Sequence, residues 1–186
     1  GGLNFSRVAM SNLEMAKLQS VSGSLHIRRG STETIDLPKL SSAGSIWFTS
    51  LNNLAEVNVP DLVSTGADFD LRDSPKLVSV DVSSLTSIGG ELRIENLDAI
   101  TSISFPELTG LTRLGIGAND ALTTAALPKL TNVSSTFYIY YNPLLSTVDV
   151  SSLSCVGDYN ITENNLSDDD YLDLISHLSC TAEGSL

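Results

Sequence analysis

The sequence predicts an all-β fold, a parallel β-solenoid of about eight coils with a short helix at its C-terminal end. Three observations predict it. A tetrapeptide ending in leucine returns every 22 or 23 residues, an apolar-x-apolar triplet keeps step with it, and no stretch before residue 166 has room for a helix between strands.

The tetrapeptides end at Leu18, Leu40, Leu62, Leu85, Leu108, Leu130 and Leu153. The triplets, usually behind a glycine, begin at Leu3, Leu25, Ile46, Phe69, Leu92, Leu114, Phe137 and Tyr159. Other columns agree with this period. Leu54, Leu77, Ile100, Leu122 and Leu145 form one; Val57, Val80, Ile103, Ala125 and Val148 form the next. Val59, Val82, Phe105, Leu127 and Val150 follow two residues later, and Ile88, Leu111, Val133 and Val156 close the coils. Alternation at period two means strands. A coil of about 22 residues cannot bury its apolar side alone, but stacked coils can. A helical leucine-rich repeat shares the period, yet turn formers and a second alternating pair ("TIDL", "TVDV") follow each strand here.

In the first strand of each coil the apolar pair points inward, so the middle residue and the one after the pair point outward. The middle column reads Asn4, His26, Trp47, Asp70, Arg93, Gly115, Tyr138, Asn160. The column after it reads Ser6, Arg28, Thr49, Arg72, Glu95, Gly117, Tyr140, Thr162. Stacking predicts cross-strand charge pairs Asp70 with Arg93 and Arg72 with Glu95. Trp47, Tyr138 and Tyr140 are candidate ligand-binding residues, because exposed aromatics on a flat sheet stack on sugar rings or anchor a protein partner. Tyr141 aligns with Arg29, Asp73, Asn96 and Glu163 as a corner residue, and Asn142 and Pro143 make the turn.

Composition excludes several classes. A formal net charge of −12 and a pI near 4.3 repel phosphate backbones, so nucleic acid is not expected as a partner. No run of 18 apolar residues exists to cross a membrane. Four N-glycosylation sequons begin at Asn4, Asn132, Asn160 and Asn165. Together with two cysteines that could pair, they favour the secretory pathway.

The segments "GGELRIENLDAITSISFPEL", "FYIYYNPLLSTVDVSSLSCVG" and "NITENNLS" resemble the receptor L-domain type of β-helix. Within that type they are most similar to the fungal GPI-anchored proteins of cell-wall organisation and sporulation. The resemblance covers essentially the whole chain. It implies a right-handed solenoid in a secreted, N-glycosylated protein tied to membrane or wall glucan through a GPI-derived anchor. Gly1 already aligns with Gly23 and Gly44, so these residues are expected to start after the N-terminal cysteine-bearing cap of such proteins. The chain begins without Met and stops before any Ser/Thr-rich stalk, so we expect a processed or truncated product.

The expected domain organisation is solenoid repeats over residues 1–166 and a helical cap over 167–186. In "LSDDDYLDLISHLSC" Ser167 is the N-cap, and Asp168, Asp169 and Asp170 suit the first turn of a helix dipole. Tyr171, Leu172, Leu174, Ile175 and Leu178 supply an apolar stripe over the last coil. A disulfide between Cys155 and Cys180 is expected to pin this cap, contributing ~3 kcal/mol in the chain-entropy model. The bare N-terminal coil, by contrast, is expected to fray or to self-associate.

No catalytic set, metal site or cofactor is expected. His26 and His177 are the only histidines, and Asp168 to Asp170 lack the glycine and distal glutamate of a calcium loop. The outward column of the second strand (Asp36, Asn58, Asp81, Ser104, Ala126, Asp149) interrupts its acids, unlike a polysaccharide-cleaving β-helix. The expected function is a non-enzymatic glycoprotein of the fungal surface that contributes to wall organisation, with wall glycans or surface proteins as partners. A receptor-like ectodomain for a protein or glycan ligand, and a wall-polysaccharide enzyme, are the rivals.

Overall fold

The computed structural model describes residues 1–154 and 156–178. Its main sheet runs the length of the molecule as eight parallel rungs. These are Leu3–Ser6, Ser20–Arg28, Ser42–Thr49, Phe69–Arg72, Glu91–Glu95, Gly110–Gly117, Asn132–Asn142 and Val156–Asn164. Each rung pairs with the next in parallel register, giving about seven turns spaced ~22 residues apart. The predicted solenoid is therefore observed.

The second strands form two further parallel sheets. One stacks Asn12–Glu14, Thr34–Asp36, Glu56–Asn58 and Ser79–Asp81; the other stacks Ser102–Ser104, Thr124–Ala126 and Thr147–Asp149. Leucine, isoleucine, valine and phenylalanine from all the sheets meet in one continuous core. Leu25, Ile46, Phe69, Leu92 and Phe137 are wholly buried in the triplet column, as are Leu40, Leu62, Leu85, Leu108 and Leu130 behind it. Like residues stack because each rung repeats the one below at about 4.8 Å.

The corner that leaves each rung has an unusual backbone. Arg7, Arg29, Ser50, Asp73, Asn96, Ala118, Tyr141 and Glu163 all have positive φ, between 51° and 59°. Such a residue costs about 1 kcal/mol unless it is glycine or asparagine. The cost is offset by continuing the ladder, as in Ser50 N–H to Arg72 O at 3.0 Å and Ala118 N–H to Tyr140 O at 3.1 Å. The opposite corner uses glycine for close approach: a Cβ on Gly44 would lie 2.8 Å from Gly23 O.

Three residues depart from expectation. Asn142 ends its strand with its side chain wholly buried, and Pro143 and Leu144 make the turn beyond it. Tyr159, in the inward column, is 38% exposed because its rung is the last in the stack. Val80 is only half-buried where the column members on either side of it, Val57 and Ile103, are buried, next to the break between the two second-strand sheets.

The C-terminal helix, Asp168–Leu178, starts as predicted. Asp170 N–H donates to Ser167 Oγ at 3.2 Å, and Ser167 hydroxyl bonds the Asp170 carboxylate in return. The apolar stripe is narrower than expected. Leu174 and Leu178, one turn apart, are buried and Ile175 is half-buried, but Tyr171 and Leu172 are 38% and 58% exposed. The end of a solenoid is narrow, so a helix lying on it seats one i, i+4 pair and leaves its flanks in water. The expected Cys155–Cys180 disulfide lies outside the described residues.

Candidate binding face

The two outward columns of the main sheet stack as predicted. His26 pairs with Trp47, Trp47 with Asp70, Asp70 with Arg93, Arg93 with Gly115 and Gly115 with Tyr138. Arg28, Thr49, Arg72, Glu95, Gly117 and Tyr140 run beside them in the same register. Between the second and fifth rungs this face holds an open cleft of about 470 Å³. His26, Arg28, Arg29, Trp47, Asp70 and Arg72 are among the residues lining it.

Trp47 is half-buried and forms the apolar part of the cleft. The His26 ring meets it edge-on, with centroids 5.3 Å apart and planes at 88°. Burial, and then the Arg28 charge, hold His26 below its ordinary pKa, so it packs as a neutral ring near pH 7. His26 Nε2 lies 3.5 Å from Thr49 Oγ1. These contacts fix the orientation of the indole.

Charge pairing on this face differs from the predicted pattern. Arg72 Nε donates to Asp70 Oδ1 at 2.7 Å, along its own strand. Arg93 donates two hydrogen bonds to Glu91, at 2.7 and 3.1 Å, again along the strand, and lies 3.8 Å from Glu95. Residues two apart on a strand share a face, and an arginine is long enough to lie along it rather than across the stack. Asp70 and Arg93 are register neighbours, but their side chains pair elsewhere. Burial raises the Asp70 carboxyl above the ordinary aspartate value, with the Arg72 hydrogen bond acting against that shift.

Glycines in the sixth rung give Tyr140 its place. A Cβ on Gly117 would lie 2.7 Å from Tyr140 Cε1, so the ring rests directly on that backbone. From there its hydroxyl donates to Glu95 Oε1 at 2.7 Å, two rungs away. Burial, then the Glu95 carboxylate, push the Tyr140 hydroxyl up to about 12. Glu91, Arg93, Glu95 and Tyr140 thus form one bonded network. Tyr140 lies down as a strut instead of standing off the sheet. Tyr138, 37% exposed, stands beyond the glycines, away from the cleft.

All four sequon asparagines, Asn4, Asn132, Asn160 and Asn165, are exposed. Asn4 and Asn160 sit in the same outward column as Trp47, on the first and last rungs. Glycans there would flank the cleft and leave its middle open.

Sequence reasoning missed one polar array, which lies on the inside. Asn119, Asn142 and Asn164 stack at the inner side of the corner. Asn119 Nδ2 donates to Asn142 Oδ1 at 3.0 Å, and Asn142 Nδ2 to Asn164 Oδ1 at 3.0 Å. Each also donates to a backbone carbonyl, of Ile94, Ile116 and Ile139 respectively. The 23- and 22-residue spacing of these asparagines was the available signal.

No family model and no solved structure matches the chain. Over 126 residues it is 27% identical to a protein of Arthroderma benhamiae described as a cell surface GPI-anchored protein. The matched stretch covers 68% of this chain and 31% of that protein, so the chain spans about a third of its relative's length.

Proposed function

We propose that this chain is the β-solenoid of a non-enzymatic, secreted glycoprotein of the fungal cell surface, which contributes to cell-wall organisation and integrity through surface interactions. The similarity to a cell surface GPI-anchored protein supports the location, and the proposal includes a GPI-derived anchor on the parent protein. The four exposed sequons and the L-domain-like repeat agree with it. The observation that carries the reading is the cleft around Trp47, where an oriented indole lies among arginines and carboxylates on an otherwise regular sheet. Aromatic faces beside hydrogen-bonding charged groups suit sugar rings, which have one apolar face and a rim of hydroxyls. Wall glycans are therefore the favoured partners, ahead of a surface protein.

One observation favours the enzyme reading. Asp70 is buried in the cleft with a raised pKa, as a general acid would be. Its bond to Arg72 is what a structural ion pair shows, and we assign it that role.

Retention on isolated fungal walls tests the proposal. The wild-type chain is expected to bind saturably without releasing reducing sugar. Trp47→Ala should lose about tenfold or more in retention, the worth of one stacked aromatic anchor. Tyr138→Ala, outside the cleft, should retain normally. Release of reducing sugar that Asp70→Asn abolishes would instead establish the enzyme.

A further inference from the structure

Arginine is unevenly distributed in this acidic chain. Arg7, Arg28, Arg29, Arg72, Arg93 and Arg113 all lie on the main sheet or its positive-φ corner. The lysines Lys17, Lys39, Lys76 and Lys129 all lie in turns. Four of the arginines line the one cleft that also holds the chain's single tryptophan.

Those four are differently engaged. Arg72 and Arg93 are neutralised by Asp70 and Glu91. Among the described residues, Arg28 and Arg29 are in no ion pair. The Nε of Arg28 is buried and makes no hydrogen bond. With no carboxylate paired to it, the Arg28 guanidinium keeps an uncompensated charge beside the cleft, and an anion brought by a ligand is the partner that charge favours. Arg29 stands at the adjoining corner, fixed there by its N–H to Thr49 O at 3.3 Å. The next corner along, Ser50, also lines the cleft and adds a hydroxyl. Beside this cationic end lies the Trp47 ring. The opposite end holds Asp68, Asp70 and Glu91. The cleft volume of about 470 Å³ is within the range of small-ligand sites.

We propose that the cleft binds a glycosyl residue carrying an anionic substituent, its ring against Trp47 and its carboxylate or phosphate on Arg28 and Arg29. This deepens the glycan-binding reading above and rests on it. The planar guanidinium fork suits either anion, and the pyranose ring supplies the apolar face that Trp47 takes. The carboxylate end of the cleft accepts from sugar hydroxyls and disfavours a second negative charge, so a single anionic group is specified.

Calorimetric titration of the full chain tests this with four probes: a glucuronic-acid-containing disaccharide, its neutral glucose counterpart, mannose 6-phosphate and mannose. One acidic probe is expected to bind about tenfold or more tightly than its neutral counterpart, the worth of one charge-assisted hydrogen bond. Which acidic probe it is distinguishes a uronic acid from a sugar phosphate. Arg28→Gln should abolish that preference. Arg29→Gln, at an exposed position, serves as a second variant should the half-buried Arg28→Gln fold poorly by circular dichroism. Arg113→Gln, on the same sheet outside the cleft, should change nothing. Equal binding of acidic and neutral sugars would overturn this proposal and leave the glycan-binding reading standing. Binding of none of the four probes would overturn this proposal, while wall retention lost in Trp47→Ala would still uphold the broader reading.

Discussion

Asn142→Leu should lower the stability of the solenoid by about 4 kcal/mol, because it orphans two or more buried backbone groups worth ~1–3 kcal/mol each. The size of leucine is not the difficulty, since Leu51 and Leu97 stand in the same column on other rungs and are wholly buried. What is lost is bonding. Asn142 Nδ2 satisfies Ile116 O at 3.1 Å, and Asn142 Oδ1 accepts from both the N–H and the side chain of Asn119. A leucine leaves the Ile116 carbonyl and the Asn119 N–H without those partners in a site closed to water. Chemical denaturation measures the loss. The double variant Asn119→Leu with Asn142→Leu should cost less than the sum of the singles, because the two share hydrogen bonds. A loss below about 1 kcal/mol for Asn142→Leu would mean that the asparagine stack is incidental to stability.

Phe69→Ala should cost a similar amount, about 4 kcal/mol, by opening a cavity in the fourth rung. Phe69 is wholly buried and meets Phe105 edge-to-face, with centroids 6.3 Å apart and planes at 86°. The edge-on pair contributes roughly 1 kcal/mol beyond burial. Phe69→Leu should recover most of the loss, because leucine fills this column on the next rung at Leu92 and two rungs away at Leu25. Stability in a solenoid is close to a sum of nearest-neighbour terms. A cavity in a middle rung weakens its contacts with both neighbours, so denaturation of Phe69→Ala should also broaden. An unchanged midpoint would show that the triplet column is not the core.

The repeat was legible because a solenoid writes its register into the sequence. Once the triplets were aligned at 21 to 23 residues, the stacking of His26 on Trp47, Arg93 on Asp70 and Tyr138 on Gly115 followed, and each pairing is observed. Register places a Cβ, however, and does not say where a long side chain goes. Arg72 and Arg93 turn along their strands, and Tyr140 lies across Gly117 to reach Glu95. Those choices depend on side-chain length and on the space that glycines leave, which period alone does not encode. Asn142 was misread for another reason. Asparagine before proline is a turn signal, and the turn is there, but the side chain points inward and bonds to its column neighbours. The positive-φ corners were visible as a column without any clue to their backbone. Arginine, tyrosine and glutamate occupy a conformation that glycine or asparagine favours, held by the ladder on either side.

A ligand on the face between the second and fifth rungs would lie against Trp47. Trp47 is the only tryptophan in the chain, so its fluorescence reports on that cleft alone. Titration with solubilised wall glycans should give a saturable change in the Trp47 emission, and the same curve should persist in Tyr138→Ala. An emission that stays constant while the glycans are retained by the protein would place binding elsewhere on the solenoid and rule out the Trp47 cleft.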